Sequence, residues 1–232
     1  MGFIILTFGD WTWLSVLIIF LLVAGISTRY RYEQKEEMEA AESKRGARSW
    51  RNVLANGAIA IVSVTLFGLS HDPIFAAAFL GAVSTSAADT LATELGLLNP
   101  HEPKLITDLN RKVRPGTSGG VSMLGEVAST FGALLIGITA WVTGFAGIAS
   151  LSLVAISLVA GLLGSTVDSL LGATIQAVFE CPSCKKVTEK KIHCSYSTTL
   201  VRGNQWVDNN TVNFLSTISG SIIAALMYLL IL

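Results

Sequence analysis

Long stretches of this 232-residue chain contain no lysine or arginine. None precedes Arg29, none lies between Asn52 and Pro103 or between Pro115 and Cys184, and none follows Gly203. Charged residues reach only 14% against 51% hydrophobic, with a mean hydropathy of +0.60, which excludes an ordinary soluble domain. The sixteen basic residues are confined to three short stretches: seven between Thr28 and Arg51, four between Lys104 and Arg114, and five between Lys185 and Arg202. Basic blocks on alternate connections between apolar segments are what the positive-inside rule produces in a multi-spanning membrane protein.

A membrane crossing needs about 20 mostly apolar residues. Six segments qualify: Trp11–Ser27, Asn52–Leu69, Ile74–Leu97, Ser122–Gly144, Gly147–Val178 and Asn210–Leu232. The expected fold is therefore an all-α, polytopic membrane bundle forming one domain over 1–232, with loops at 28–51, 98–121 and 179–209. Connections one, three and five carry all the basic charge, so these loops are expected in the cytoplasm of a cell membrane protein and both termini outside. The fifth segment is long for one upright span, which a tilt, a kink near Gly161 and Gly164, or a break would accommodate. Charge parity favours one crossing. No basic region precedes the first apolar segment, so an uncleaved span is expected rather than a signal peptide. Trp11, Trp13, Tyr30, Tyr32 and Trp50 lie near span ends and read as interface anchors. The mixed charges after Thr28 read as a solvated helix. The bilayer is an expected partner and nucleic acid is not.

Four carboxylates fall inside or at the edge of the apolar segments: Asp89, Glu94, Glu126 and Asp168. No lysine or arginine within a span is there to neutralise them, so they are expected to face a cavity, a cation or a proton path. Helix rise puts Asp89 roughly 14 Å and Asp168 roughly 15–18 Å from the cytoplasmic ends of their spans. Asn52 and Asn56 open the second span; Asn209, Asn210 and Asn213 open the sixth. These oxygen-rich groups converge on the cytoplasmic half and suit Mg²⁺. The two deep aspartates share the pattern S-x-x-D-[ST]-L, at Ser86–Leu91 and Ser165–Leu170; a duplicated unit and chance similarity both remain open.

The third connection runs Lys104, Arg111, Lys112, Arg114, Pro115, then Gly116, Thr117, Ser118, Gly119 and Gly120. Glycines that turn backbone N–H groups outward beside cations suit a phosphate, and a plain inter-helix loop is the alternative. The sequence lacks both G-K-[ST] and G-x-G-x-x-G. All three cysteines lie in the last loop as Cys181-Pro-Ser-Cys184 and His193-Cys194, a spacing that suits a zinc knuckle or a redox pair. A small structural clip is the preferred reading. His71 and His101 read as surface residues.

Several blocks together resemble one family: Lys44–Gly57 (with Arg48, Arg51, Asn52 and Asn56), Ala87–Gly96, Arg114–Ser122, Gly164–Gln176 (with Ser169) and Asp208–Phe214. They are similar to the integral-membrane family containing eukaryotic transmembrane protein 19 and plant phytyl-phosphate kinase, from about Lys44 to the C-terminus. The resemblance implies conversion of an isoprenoid monophosphate to its diphosphate with a nucleoside triphosphate (CTP or ATP) and Mg²⁺. The Cys181–Cys194 segment is not something that chemistry requires. In this reading Asp89 and Asp168 hold Mg²⁺, with Glu94 and Glu126 as further ligands or as supports behind the ligands. Lys104, Arg111, Lys112, Arg114 and Gly116–Gly120 meet the triphosphate. Arg48, Arg51, Asn52 and Asn56 hold the acceptor phosphate, and Ser169, Gln176, Asn209, Asn210 and Asn213 complete the substrate contacts. The rival is a transporter of a cation or small anionic solute, which needs a polar path through the outer halves, where little is found beyond Thr65, Thr139 and Thr143.

Overall fold

The computed structural model describes residues 1–38, 48–148 and 150–231. Lys44–Ala47, the start of the first family block, lie outside the described residues, as does Leu232. Six long helices correspond to the six expected spans: α2 (Trp11–Arg29), α4 (Trp50–Ser70), α5 (Pro73–Gly96), α6 (Met123–Thr143), α7 (Ser152–Thr174) and α8 (Asn209–Ile231). Two shorter helices, α1 (Gly2–Phe8) and α3 (Tyr32–Glu37), flank α2. Local chemistry sets the helix starts. Asp10, Ser49, Asp72 and Ser122 each accept a backbone N–H from the first turn of α2, α4, α5 and α6, and Pro73 opens α5, where a missing N–H costs nothing. The chain is a multi-pass membrane protein.

The fifth apolar segment makes one crossing. It is shorter than its composition implies, because a 3-10 turn at Phe145–Gly147 precedes α7, and a strand at Val178–Glu180 follows it. With the helix ending at Thr174, Asp168 lies about 9 Å from the loop end; Asp89, seven residues before Gly96, lies about 10 Å from it. Both are shallower than the sequence reading put them, since the apolar run overshoots the helix.

α5 is the hub and packs against α2, α4, α6, α7 and α8. Its buried side chains are mostly Ala, Gly, Ser and Thr, so neighbouring backbones approach closely. A Cβ on Gly81 would collide with the carbonyl of Gly220 on α8, and one on Gly164 of α7 would collide with Thr85. Ser84 and Ser157 share a hydrogen bond between α5 and α7, and Ser157 also donates to the Ala133 carbonyl of α6 (2.8 Å).

The two ends of the bundle differ. At one, Trp13 is fully buried among Phe67, Phe79 and Phe145, with ring centroids 4.6–4.8 Å from its own. Trp13 is therefore a core residue and not an interface anchor, whereas Trp11 and Trp50 are exposed. α1, which the span pattern does not reveal, packs along α4, with Met1 against Gly57 and Phe8 against Gly68. At the other end, the loops fold into short strands that an all-α reading omits. The third connection forms a sheet in the order β2 (Asp108–Lys112), β1 (Lys104–Leu105), β3 (Gly120–Val121). The last one forms β5 (Val187–Thr188), β4 (Val178–Glu180), β8 (Thr199–Arg202) and the hairpin β6 (Ile192–His193) with β7 (Tyr196–Ser197).

Gly81→Val is expected to destabilise the detergent-solubilised protein by about 1–3 kcal/mol, the usual cost of overpacking. Gly25→Ala, where an added Cβ meets nothing within 4 Å, is expected to be neutral or slightly stabilising. Thermal unfolding of the two purified variants checks the contrast; equal melting temperatures would mean that the α5–α8 contact is looser than described.

Candidate active site at the loop end of the bundle

The two S-x-x-D-[ST]-L segments meet. α5 and α7 bring the carboxyl groups of Asp89 and Asp168 close enough to act on each other. Around them is a chain of amides. With the Asn213 side chain oriented to satisfy all its neighbours, its nitrogen donates to Asp168 Oδ2 (3.2 Å) and to the Asn209 carbonyl (3.1 Å), while its oxygen accepts from Asn56 Nδ2 (3.1 Å). Asn56 also donates to the Asn52 carbonyl (3.0 Å), and Ser86, from the first motif, donates to the Asn56 carbonyl (3.0 Å). The Ser216 hydroxyl is within reach of Asp168. Arg48 is the cation beside Asp89; its guanidinium donates to Asn52 Oδ1 and Thr90 Oγ1, both at 3.3 Å.

Two carboxylates in contact cannot both ionise without a cation or a shared proton. Arg48 supplies part of that charge from one side. An oxygen-only donor set with amides around it suits a hard divalent cation such as Mg²⁺, so the residues present fit the expected metal.

Glu94 is not presented to this pair. Its Oε2 meets Lys35 Nζ at 2.7 Å, and its Oε1 accepts from Thr28 (2.8 Å) and faces Arg48 Nη2 at 3.8 Å. Lys35 is fully buried, and it also donates to the Ser27 carbonyl (2.7 Å) at the C-terminus of α2, where the helix dipole favours a cation. The helix expected to be solvated thus sends one side chain into the bundle. The cation that no span contains arrives from a loop. Glu126 is exposed in the first turn of α6, and among the described residues no hydrogen bond or ion pair reaches its carboxylate.

Of the remaining expected residues, Asn52, Asn56 and Asn213 are buried in the network. Asn209 is exposed, Asn210 lies beside Asp208, and Ser169 is half-buried on α7 one residue past Asp168. Arg51 pairs with Asp208 at 3.1 Å, tying the start of α4 to the start of α8. Burial alone would raise the Asp208 pKa, but hydrogen bonds from Thr211 and the charge of Arg51 outweigh it and hold the carboxyl below its ordinary value. Lys104, Arg111, Lys112 and Arg114 are exposed on the β1–β2 hairpin and its continuation, with Lys112 facing Glu102 at 3.9 Å.

The glycine-rich turn does not hang free. Gly116 and Gly119 have positive φ (80° and 79°), and Gly119 packs against Ala173 so closely that any side chain there would clash with the α7 backbone. Arg202 of β8 donates to the carbonyls of Ser118 (3.2 Å) and Gly172 (3.0 Å). Its pKa is lowered by burial and by nearby Arg111. Ser118 donates to Glu189 at 2.6 Å, and Gln176 is buried beside Glu189. Glu189 is a third acidic group close enough to Asp168 to act on it electrostatically. Desolvation raises its own pKa, although the residue is exposed at the surface. Sequence reasoning missed Glu189 and Lys35 because both sit in loops, where a charged residue looks ordinary.

The last loop gathers Cys181, Cys184, His193 and Cys194, whose ligand atoms lie within 4.8 Å of one another. Cys184 Sγ is 3.4 Å from His193 Nδ1 and 3.8 Å from Cys194 Sγ, and Cys194 Sγ is 3.3 Å from His193 Nδ1. The β6–β7 turn, with Cys194 and Ser195 both left-handed, carries the second half of the set. Backbone N–H groups of Cys184 and Ser183 pull the Cys181 thiol down to about 6, while Cys194, crowded by the other two sulfurs, is pushed up to about 11.

The sequence matches the family model described as integral membrane protein DUF92 over residues 1–221. The chain belongs to this family. It is 29% identical over 250 residues to Protein PGR of Arabidopsis thaliana, covering 97% of this chain and 85% of that protein. It is 31% identical to an uncharacterized membrane protein of Methanocaldococcus jannaschii, covering 98% and 81% of the two chains. Protein VTE6, chloroplastic, of Arabidopsis thaliana is 27% identical over 225 residues, covering 92% of this chain and 59% of that protein. No solved structure matches the chain.

Glu94→Leu or Lys35→Met alone is expected to cost about 3–5 kcal/mol, because each leaves its buried partner uncompensated. The double variant Lys35→Met/Glu94→Leu is expected to recover most of that loss. Melting temperatures of the three variants in detergent form the cycle, and additive losses would show that the pair is not coupled.

Proposed function

We propose that this protein is an isoprenoid-monophosphate kinase, transferring the γ-phosphoryl group of a nucleoside triphosphate to a prenyl monophosphate at the membrane surface. The observation that carries the reading is the Asp89–Asp168 contact, set about two helical turns below the basic loops and flanked by Arg48, Asn52, Asn56 and Asn213. The family membership and the resemblance of these same blocks to phytyl-phosphate kinase support it. The basic loops favour a cytoplasmic position for this end and put the opposite end outside.

The acceptor phosphate is already largely ionised at neutral pH, so it needs no general base. One of its oxygens attacks the γ-phosphorus in line; a new P–O bond forms, the bond to the β-phosphate oxygen breaks, and the nucleoside diphosphate leaves with that electron pair. What the protein must supply is position and counter-charge. Arg48 and Asn52 hold the acceptor phosphate, with Arg51 at the rim and Asn56, whose two N–H groups go to Asn52 and Asn213, supporting Asn52 from behind. Lys104, Arg111, Lys112 and Arg114 draw in the triphosphate, and Gly116–Gly120 offer backbone N–H groups to it. Asp89 and Asp168 would hold Mg²⁺, which would supply counter-charge for the phosphoryl oxygens. Asn213 orients Asp168. Glu94 acts through Lys35 and Arg48, as a positioning residue rather than a metal ligand.

A transport path through the opposite half finds little support. Thr65 and Thr139 donate back to their own helices, at Ile61 and Leu135, and the Trp13 aromatic cluster closes that end.

The last loop serves as a structural zinc clip. Zinc–thiolate bonds of about 2.3 Å imply sulfur–sulfur edges of roughly 3.8 Å in a tetrahedron. The Cys184–Cys194 distance of 3.8 Å matches that, as does the shorter sulfur–nitrogen spacing. The clip would stiffen the loop that carries Glu189 and Arg202.

With purified protein in detergent, Mg²⁺ and γ-labelled CTP or ATP, label is expected in a prenyl diphosphate. Asp89→Asn and Asp168→Asn are expected to lower kcat by about 10²-fold or more with unchanged melting temperature. Full activity in both variants would end the metal assignment, and no transfer at any chain length would end the kinase reading. Metal analysis is expected to find one zinc per chain, lost in Cys184→Ser/Cys194→Ser. Protein without zinc, and with a melting temperature indifferent to a chelator, would exclude the clip.

A further inference from the structure

Beside the phosphate-binding residues a groove of about 490 Å³ opens between α1, α2 and α4. Its mouth is polar, formed by Thr28, Arg48, Asn52 and Asn56; the rest of its lining is almost entirely apolar or glycine. Along α4 it runs from Asn52 to Ile61, about 14 Å by helix rise, and along α2 from Thr28 to Leu14, about 21 Å. Gly25, Gly57 and Ala60 keep the walls low, and Met1, Gly2 and Ile5 of α1 line the groove, with Met1 against Gly57. One side is open: Ile18, Leu21 and Val53 are all more than 40% exposed and face the bilayer.

We propose that this groove holds the prenyl chain of the substrate, with its phosphate at Arg48 and Asn52, and that α1 sets the longest chain accepted. The proposal rests on the kinase reading for the phosphate's fate and on the groove alone for the chain's position. Its occupant follows from the combination at hand. A cation and the Asn52 amide at the mouth are complementary to an anionic head, and an apolar slot running down from them takes one hydrocarbon chain. A diacyl phospholipid has two chains, and a water-soluble phosphate has no use for the slot. An extended isoprene unit of four carbon–carbon bonds spans about 5 Å, so a length of 14–21 Å holds about three to four units. The open side lets the chain enter laterally, so it never leaves an apolar medium while its head reaches Arg48. Asn52 and Asn56 take part in both halves of the device: they border the slot and, through Asn213, connect to Asp168.

The test is photo-crosslinking of the full chain in detergent with geranylgeranyl monophosphate carrying a diazirine at either its first or its last isoprene unit. No nucleotide is added, so labelling does not depend on turnover. The first-unit probe is expected to label peptides around Asn52–Gly57, and the last-unit probe to label α1 and the first half of α2. Unlabelled geranylgeranyl monophosphate should compete at least tenfold better than dioleoyl phosphatidic acid. Gly25→Phe, at a position where an added Cβ meets no neighbour, should cut both labels at least tenfold without lowering the melting temperature. Ala60→Phe, about 12 Å below Asn52, should lower the competition ratio of the C20 over the C10 monophosphate at least tenfold. Labelling elsewhere, labelling indifferent to Gly25→Phe, or equal competition by the phospholipid would overturn the chain site. A C20-to-C10 ratio unchanged by Ala60→Phe in folded protein would overturn the gauge. Intact labelling alongside a negative kinase assay would defeat the phosphotransfer reading and leave the groove standing.

Discussion

An ionised group below the membrane surface must meet a counter-charge, a proton or a set of hydrogen-bond donors, because no water stands ready to solvate it. The loop end of this protein is arranged around that constraint. Lys35 folds inward from a short loop helix to reach Glu94 and the C-terminal carbonyls of α2 in one contact. Arg48 bridges the two acidic groups of α5, with Glu94 on one side and Asp89 on the other. What is left over is the Asp89–Asp168 pair. Asparagines and one arginine satisfy it only in part, and that residual demand for positive charge is what the proposed function draws on.

Close helix packing makes the pair possible. Gly81, Gly164 and Gly220 let α5, α7 and α8 approach until backbone meets side chain, and serine hydroxyls stitch the contact in place of bulk apolar burial. In a bilayer, where lipid tails are as apolar as leucine, such close contact is what holds helices together. The rigid middle of the bundle therefore fixes the separation of two aspartates carried on different helices. The aromatic cluster around Trp13 does the opposite work at the far end, filling space and leaving little polar path through the membrane.

The two folded loops extend this frame over the site. Gly119 rests on the end of α7, Arg202 staples the glycine-rich turn to Gly172, and Ser118 joins it to Glu189. The cysteine–histidine set lies in the same strand-rich segment as Arg202 and Glu189. The groove between α2 and α4 adds an opening on the side of the bundle, the feature that the proposed function uses for a reactant from lipid.

The sequence by itself determined the class and the number of crossings, because segregated lysines and arginines and apolar runs of about 20 residues are one-dimensional signals. It also singled out Asp89 and Asp168, since a carboxylate inside an apolar run is costly wherever the run ends up. Tertiary structure alone decided which acids work together. Glu94 and Asp89 look alike in sequence, yet five residues of helix turn one toward Lys35 and the other toward Asp168. Glu126 has the same composition signal and ends exposed on α6. The depth of Asp168, the burial of Trp13, the strands in the loops and the inward turn of Lys35 were equally illegible. Each depends on where a helix stops or which face it turns to a neighbour, and hydropathy along one chain does not encode that.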